Sequence, residues 1–154
     1  MGRDTINLLF GEEGVSALVA VTDSDGGDRQ LQISGKVVAS TMDFDMRIER
    51  MPGHLPTLIH GALRSVLVVG MGAGVRAGAF VQYPKVARIL ICEIELSVLE
   101  ASDRFSDQHY GVGRDPRTEV IYDDDRHFVA TTDEQFDTIR SDPIHPWVRG
   151  SASL

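Results

Sequence analysis

The feature that most constrains the fold is an apolar run, residues 66–69, that leads directly into a glycine-rich loop with Gly70, Gly72 and Gly74. A helical pattern follows, to about Gln82. A short run of apolar β-branched residues is typical of a strand buried on both faces. Glycines allow a sharp turn from strand to helix and let a ligand approach the helix N–H groups closely. The segment therefore predicts a strand, a ligand-binding loop and a helix.

The same alternation continues along the chain. Further strands are predicted at residues 89–93, 118–122 and 136–141. Strands separated by helical segments form a parallel sheet with helices packed on it. Residues 65–154 are therefore predicted to form a Rossmann-like α/β domain.

Residues 1–42 have the pattern of a β-meander. Short β-branched runs at 17–21, 31–33 and 36–38 are separated by turn sequences rich in glycine, serine and aspartate. This pattern predicts a small N-terminal β-sheet that precedes the α/β domain.

Between these two parts, residues 43–64 have the spacing of a helical connector. The apolar residues at helical spacing are Phe44, Ile48, Met51, Leu55, Leu58 and Ile59. Pro52 and Pro56 fall inside this pattern, and a proline removes a helical hydrogen bond. The connector is therefore predicted to contain either a kinked helix or two short helices.

Charge and composition restrict the partners. The formal net charge is −8. Proteins that bind nucleic acid carry a basic face, so no nucleic-acid partner is expected. The charge favours cationic small molecules, although solubility alone is the more common reason for an acidic composition. The single Cys92 cannot form an internal disulfide and is compatible with the cytoplasm. The apolar stretch 66–75 is too short to cross a bilayer, so we expect a cytoplasmic protein without a membrane partner.

The spacing of the glycines restricts the ligand. A dinucleotide-binding loop needs glycine at position 75, where this chain has Val75. The observed spacing suits an S-adenosyl nucleoside. Glu93 ends the second strand of the sheet, where a carboxylate can accept hydrogen bonds from both ribose hydroxyls. Glu95 lies close by, and the alternative is a tight turn that binds no ligand.

Acidic residues also follow the third and fourth strands. Asp123, Asp124 and Asp125 come after residues 118–122, and Asp124 could accept a hydrogen bond from an adenine amino group. A metal site or a helix cap are the alternatives, and capping is the more common use of such residues. Asp142 follows the fourth strand and is a candidate for a further functional group. Its alternative is a turn with a solvent-facing aspartate.

The histidines and the cysteine carry no predicted chemistry. His54 and His60 are six residues apart, which is not a familiar metal-ligand pairing, so structural roles are favoured and no metal is expected. His109 and His127 are predicted to lie on the surface. Cys92 is expected to be a small buried residue.

Six motifs in register resemble the polyamine aminopropyltransferases, the spermidine and spermine synthases, and are most similar to bacterial spermidine-synthase-like domains. The motifs are GKVVAST at 35–41, HLP at 54–56, VLVVGMGAG at 66–74, CEIE at 92–95, DD at 123–124 and SDPIHPW at 141–147.

This resemblance implies a small β-domain followed by a Rossmann domain of the S-adenosylmethionine-methyltransferase type. It also implies decarboxylated S-adenosylmethionine as co-substrate and a polyamine as acceptor. Glu93 would hold the ribose and Asp124 the adenine, while Asp142 would take a proton from the attacking amine. His145 and Trp147 would line the acceptor pocket. An alkylammonium has a pKa of about 10 and must lose a proton before it can attack carbon.

The chain departs from the family pattern at three positions. The family has an acid where this chain has Ala73, a tyrosine where it has Ile48, and a second acid where it has His145. These changes argue against putrescine as the acceptor. Two alternatives stay open: an S-adenosylmethionine-dependent methyltransferase, and a non-catalytic nucleoside-binding or assembly domain.

Family domains continue beyond the motif that contains Trp147. The resemblance therefore implies that the parallel sheet lacks its last strands. An incomplete sheet leaves an edge and an apolar face uncovered, so we expect a fragment or an obligate homo-oligomer.

Overall fold

In the computed structural model, residues 6–141 are described, and they begin with an antiparallel sheet. Its strands, in spatial order, are β1 (Asn7–Glu13), β2 (Leu18–Asp23), β3 (Arg29–Ile33) and β4 (Lys36–Ser40). The predicted meander is confirmed. The first strand, β1, was not predicted, and its register runs from Asn7 opposite Asp23 to Glu13 opposite Leu18.

A parallel sheet follows, and its strand order positions the site. Its strands are β5 (Ser65–Val69), β6 (Arg88–Glu93), β7 (Thr118–Tyr122) and β8 (Thr138–Ser141). The order is β7-β6-β5-β8, with every neighbouring pair parallel. Because β8 lies on the other side of β5, the strand order reverses there, and open α/β sheets bind ligands at such a point. The predicted α/β class with a parallel sheet is confirmed.

Three short helices connect these strands: α2 (Val75–Val81), α3 (Leu96–Ser102) and α4 (Asp125–Thr131). One hydrophobic core joins both sheets, since Val21 and Leu31 of the N-terminal sheet belong to the same cluster as Phe80 and Phe105. Burying each of these side chains stabilises the fold by about 1.5–3 kcal/mol. The N-terminal sheet is therefore held against the parallel sheet by shared packing.

The connector is a single helix, α1 (Asp43–His60), with Pro52 and Pro56 inside it. The expectation of two short helices is wrong. The reason is packing against α2: a Cβ placed on Gly53 would lie 2.5 Å from the Ala79 Cβ. This close approach lets tertiary contacts outweigh the hydrogen bonds that the prolines remove.

The apolar stripe that predicts α1 is not the face that packs. The buried residues of α1 are Met46, Glu49, Gly53 and Thr57. The stripe lies on the opposite side and is between 42% and 82% exposed in residues Phe44, Ile48, Met51, Leu55, Leu58 and Ile59. The helix therefore presents an apolar outer face, named here the α1 stripe. In the described part of the chain, no helix is both long enough and apolar enough to cross a membrane.

Candidate functional site

The glycine loop between β5 and α2 presents open backbone at the carboxyl edge of the parallel sheet. Gly70 and Gly72 have φ angles of 82° and 52°, a region that side chains other than glycine rarely adopt. No heavy atom lies within 4 Å of the place where a Cβ would stand at either residue. Gly74 precedes α2, and its N–H donates to the Met71 carbonyl at 2.8 Å. The loop therefore leaves space where a ligand can reach the backbone.

Glu93 lies against this loop, as the sequence analysis predicted. Its Oε2 accepts the Met71 N–H at 2.7 Å, and its Oε1 accepts the Glu95 N–H at 2.9 Å. Burial raises the pKa of Glu93, while the Met71, Glu95 and Ile94 amides act in the opposite direction. A carboxylate has about four lone-pair positions, so capacity is left for a further donor such as a hydroxyl.

Asp124 follows the neighbouring strand, β7, and caps α4. Its Oδ1 accepts the N–H groups of Arg126 at 2.9 Å and His127 at 3.3 Å. The capping alternative is therefore observed, and the carboxylate is exposed at the same edge of the sheet as Glu93. Asp123 pairs with the His127 ring at 2.9 Å, which raises the pKa of His127.

The candidate residues after β8 are Asp142, His145 and Trp147, and they lie outside the described residues. The structure describes β8 as far as Ser141. Ser141 is paired in register with Val69, the residue that precedes Gly70. The last described residue of β8 therefore lies beside the start of the glycine loop.

A cavity of about 180 Å³ lies between the N-terminal sheet, α1 and the glycine loop. Its wall includes the loop from Gly70 to Ala73 together with Glu49, Arg76 and Arg140. Glu49 is 8% exposed, and its carboxylate lies 2.9 Å from the Arg76 guanidinium. Of the positions that depart from the family pattern, Ala73 lines this cavity, whereas Ile48 belongs to the exposed α1 stripe and does not.

These three charged residues could not be recognised as site residues from the sequence. Glu49 and Arg76 are 27 residues apart, and only the packing of α1 on α2 brings them together. Successive side chains of a strand point to opposite faces of the sheet, and the sequence does not show which face Arg140 takes. The one available signal was the charge of Glu49, which stands opposite the apolar stripe of the predicted helix.

Glu95 joins the N-terminal sheet to the end of β6. It is 4% exposed, and its carboxylate accepts the Ser16 N–H and Oγ–H, both at 2.9 Å, and the Val15 N–H at 3.3 Å. The Ser97 hydroxyl donates to it at 3.1 Å. These donors, with the Ser16 amide first, lower the pKa of Glu95 to about 2.

His109 corrects a prediction, because it is buried and not on the surface. It is 2% exposed, its Nε2 lies 3.1 Å from the Ser102 carbonyl, and its Nδ1 accepts the Val112 N–H at 3.1 Å. Such partners fit a neutral ring with its proton on Nε2, and burial lowers its pKa. Turns enclose the His109 ring, where the sequence predicted a surface segment.

Two other expectations about side chains are confirmed. Cys92 is 1% exposed, and burial raises its pKa to about 11, so it is a packed thiol. His54 has a structural contact, since its Nδ1 lies 2.9 Å from the Tyr83 hydroxyl. Within residues 6–141, no group of three or more His, Cys, Asp or Glu side chains could hold a metal ion.

A parallel sheet of this order, with a glycine loop after its first strand and an acid at the end of its second, defines a methyltransferase-like Rossmann domain. The chain matches the spermine/spermidine synthase domain over residues 46–153. It therefore belongs to the spermine/spermidine synthase family.

Individual relatives agree with this assignment. The chain is 37% identical over 111 residues to polyamine aminopropyltransferase 1 of Pseudomonas aeruginosa, covering 71% of this chain and 39% of the relative. It is 30% identical over 141 residues to the polyamine aminopropyltransferase of Serratia proteamaculans, covering 91% of this chain and 49% of that one. The chain thus spans less than half the length of these relatives.

Solved structures show the same fold. A spermidine synthase in complex with the transition state analogue AdoDATO superposes with a TM-score of 0.79 at 21% identity, covering 88% of this chain and 47% of the other. Spermidine synthase from Thermotoga maritima gives a TM-score of 0.78 at 20% identity, covering 88% and 48%.

Proposed function

We propose that this chain carries the nucleoside-binding part of an aminopropyltransferase that uses decarboxylated S-adenosylmethionine and an amine acceptor. The observation that carries the proposal is the Glu93 carboxylate, fixed by the Met71 N–H beside the open backbone of Gly70 and Gly72. A buried carboxylate that backbone amides hold in place, with lone-pair capacity left, suits the hydroxyls of a ribose. Membership of the spermine/spermidine synthase family supports this ligand over other nucleosides.

Two parts of the site have different tasks. The nucleoside side consists of the loop 70–74 and Glu93, with Asp124 as acceptor for the adenine amino group. The acceptor side consists of the cavity lined by Glu49, Ala73 and Arg76, together with Asp142, His145 and Trp147.

The reaction needs little covalent chemistry from the protein. A neutral amine attacks the carbon bonded to the sulfonium sulfur, the new N–C bond forms as the C–S bond breaks, and its electron pair leaves with sulfur as methylthioadenosine. Asp142 receives the proton that the ammonium loses. Holding nitrogen, carbon and sulfur in line supplies much of the rate, because oriented reactants gain a large effective concentration.

The test is product formation. Purified protein is incubated with decarboxylated S-adenosylmethionine and a panel of diamines, polyamines and monoamines, and methylthioadenosine is measured. We expect product that depends on the amine and that falls by about 100-fold or more in Asp142→Asn, since a general base contributes about 10²–10⁴-fold. Binding of methylthioadenosine without any turnover would contradict catalysis and favour a non-catalytic nucleoside-binding domain.

A methyltransferase is the second candidate, because Ala73 supplies no negative charge to the wall of the cavity. The Arg76 guanidinium lines the same cavity and is paired there with the Glu49 carboxylate. The carboxylate of S-adenosylmethionine would therefore not be repelled by an acidic side chain at position 73. Tighter binding of S-adenosylmethionine than of its decarboxylated form, measured by calorimetry, would support this candidate over aminopropyl transfer.

We also propose that the chain pairs with a second copy through the α1 stripe. Six half-exposed apolar side chains offer roughly 100 Å² each, or about 600 Å² per copy. Two copies then bury about 1,200 Å², the lower end of a stable interface. Ile59→Glu should shift the sedimentation of a dimer to that of a monomer, while Val129→Glu, on the exposed side of α4, should not. A wild-type monomer at all concentrations would contradict this pairing.

A further inference from the structure

A continuous chain of hydrogen bonds runs from the N-terminal sheet to the glycine loop. Ser16, in the turn between β1 and β2, donates twice to the Glu95 carboxylate. The Glu95 N–H donates to one oxygen of Glu93, and the other oxygen accepts the Met71 N–H. Two carboxylates therefore link a turn at residues 14–16 to the backbone of the loop 70–74.

The turn packs so closely against Glu95 that there is no space for a side chain at position 14. A Cβ on Gly14 would lie 2.2 Å from the Glu95 Oε1 and 2.7 Å from its Oε2, so a side chain at position 14 would displace the carboxylate. The donors of the turn are 79 and 80 residues away from Glu95 in the chain. Glu95 is also buried, and three of its four donors come from Val15 and Ser16 in the turn, while the Ser97 hydroxyl of α3 is the fourth.

The backbone of residues 93–95 connects this contact to the nucleoside side. Glu95 donates the N–H that holds Glu93 Oε1, so a movement of residue 95 changes the direction of the Glu93 carboxylate. The Glu93 lone pairs that could accept from a ligand then change direction together with the carboxylate. A hydrogen bond to a charged group weakens steeply once its geometry is lost.

We propose that Glu95 is a positioning residue through which the β1–β2 turn aims Glu93 at the nucleoside. The β1–β2 turn then sets nucleoside affinity through Glu95, whose N–H donates to one oxygen of Glu93. This inference rests on the proposed function, because it takes Glu93 as the group that holds the ribose.

The experiment compares amide hydrogen exchange and methylthioadenosine affinity in wild type, Glu95→Gln and Asp23→Asn. The glutamine keeps the shape but turns an N–H₂ group toward the Ser16 donors. We expect Met71 amide exchange to rise roughly tenfold relative to the Leu90 amide of β6, and methylthioadenosine affinity to fall roughly tenfold. Asp23→Asn breaks the ion pair with Arg29 in the same sheet and should change neither quantity.

If the contact between the turn and Glu95 is purely structural, the result is different. Glu95→Gln would then expose the Val15 and Ser16 amides to exchange while Met71 exchange and nucleoside affinity stay at the wild-type values, and that outcome overturns the inference. If Glu95→Gln does not fold, Ser16→Ala removes only the hydroxyl donor. The same two readouts should then move in the same direction, by roughly threefold, and no change would overturn the inference.

Failure of the proposed function is recognised separately. A wild-type protein that binds no methylthioadenosine contradicts the nucleoside proposal itself. Met71 exchange in Glu95→Gln needs no ligand, so it still decides whether the N-terminal turn positions Glu93.

Discussion

The two sides of the site are held by different kinds of contact. On the proposed nucleoside side, backbone N–H groups of Met71 and Glu95 fix the Glu93 carboxylate. On the proposed acceptor side, the Glu49–Arg76 ion pair lines the cavity next to the small Ala73. The contacts of Glu93 need one particular side chain, because their donors are backbone groups, whereas the ion pair needs two. The proposed nucleoside side therefore depends on fewer side chains than the proposed acceptor side.

The largest effect should come from the nucleoside side. Glu93→Gln removes the charge that orients the loop and accepts the ribose hydroxyls, so methylthioadenosine affinity should fall about 100-fold, given about 1.5–3 kcal/mol for each hydrogen bond to a charged group. Calorimetric titration measures this. Glu119→Gln, in a surface pair with Arg88, is the matched control and should bind normally. If Glu93→Gln and wild type bound methylthioadenosine with equal affinity, the proposed nucleoside side would not depend on Glu93 and would not differ in this way from the acceptor side.

The packing that creates the acceptor side gives the next effect. Gly53→Ala places a Cβ 2.5 Å from both the Ala79 Cβ and the Arg76 carbonyl, which should lower the free energy of unfolding by about 2 kcal/mol. Chemical denaturation measures this loss. Gly113→Ala is the control, since no atom lies within 4 Å of its Cβ position. Equal stability of the two variants would show that α1 does not depend on close approach to α2.

A charge change at the cavity should have a smaller effect. Ala73→Asp adds a carboxylate to the cavity that Arg76 also lines. The ratio of affinities for decarboxylated and carboxylated S-adenosylmethionine should then shift toward the decarboxylated form. The expected shift is roughly tenfold, the size typical of one partly buried ion pair. Competition binding gives the ratio. An unchanged ratio would mean that position 73 does not face the donor's charged end.

The smallest effect concerns pH. Burial lowers the pKa of His109 below its usual 6.5, so the stability that the neutral ring provides is fully present above pH 6.5. It is lost as the pH falls from 6.5 through the lowered pKa in the folded state, because the unfolded chain binds a proton first. Unfolding free energies of wild type and His109→Gln should therefore converge as the pH is lowered below 6.5. A constant difference between them would contradict the assignment of a buried neutral ring.

Elements with local signals could be predicted from the sequence. The run 66–69, the glycine loop and Glu93 form one continuous pattern, and β6 and β7 have apolar strand sequences of their own. In contrast, β1 contains Gly11 and ends in two glutamates, and it is fixed by pairing with β2. Contacts between distant residues were missed for the same reason. The partner of Glu49 is Arg76 and that of Glu95 is Ser16, and only the folded chain creates these contacts.

The proposed function requires that the glycine loop and Glu93 together bind an adenosyl nucleoside. Amide chemical shifts recorded while methylthioadenosine is added test this binding. We predict that the largest shifts fall on Met71, Gly72 and Glu95, with smaller ones near Asp124. Saturating ligand that leaves these amides unmoved, or that shifts only residues of the antiparallel sheet, would contradict it.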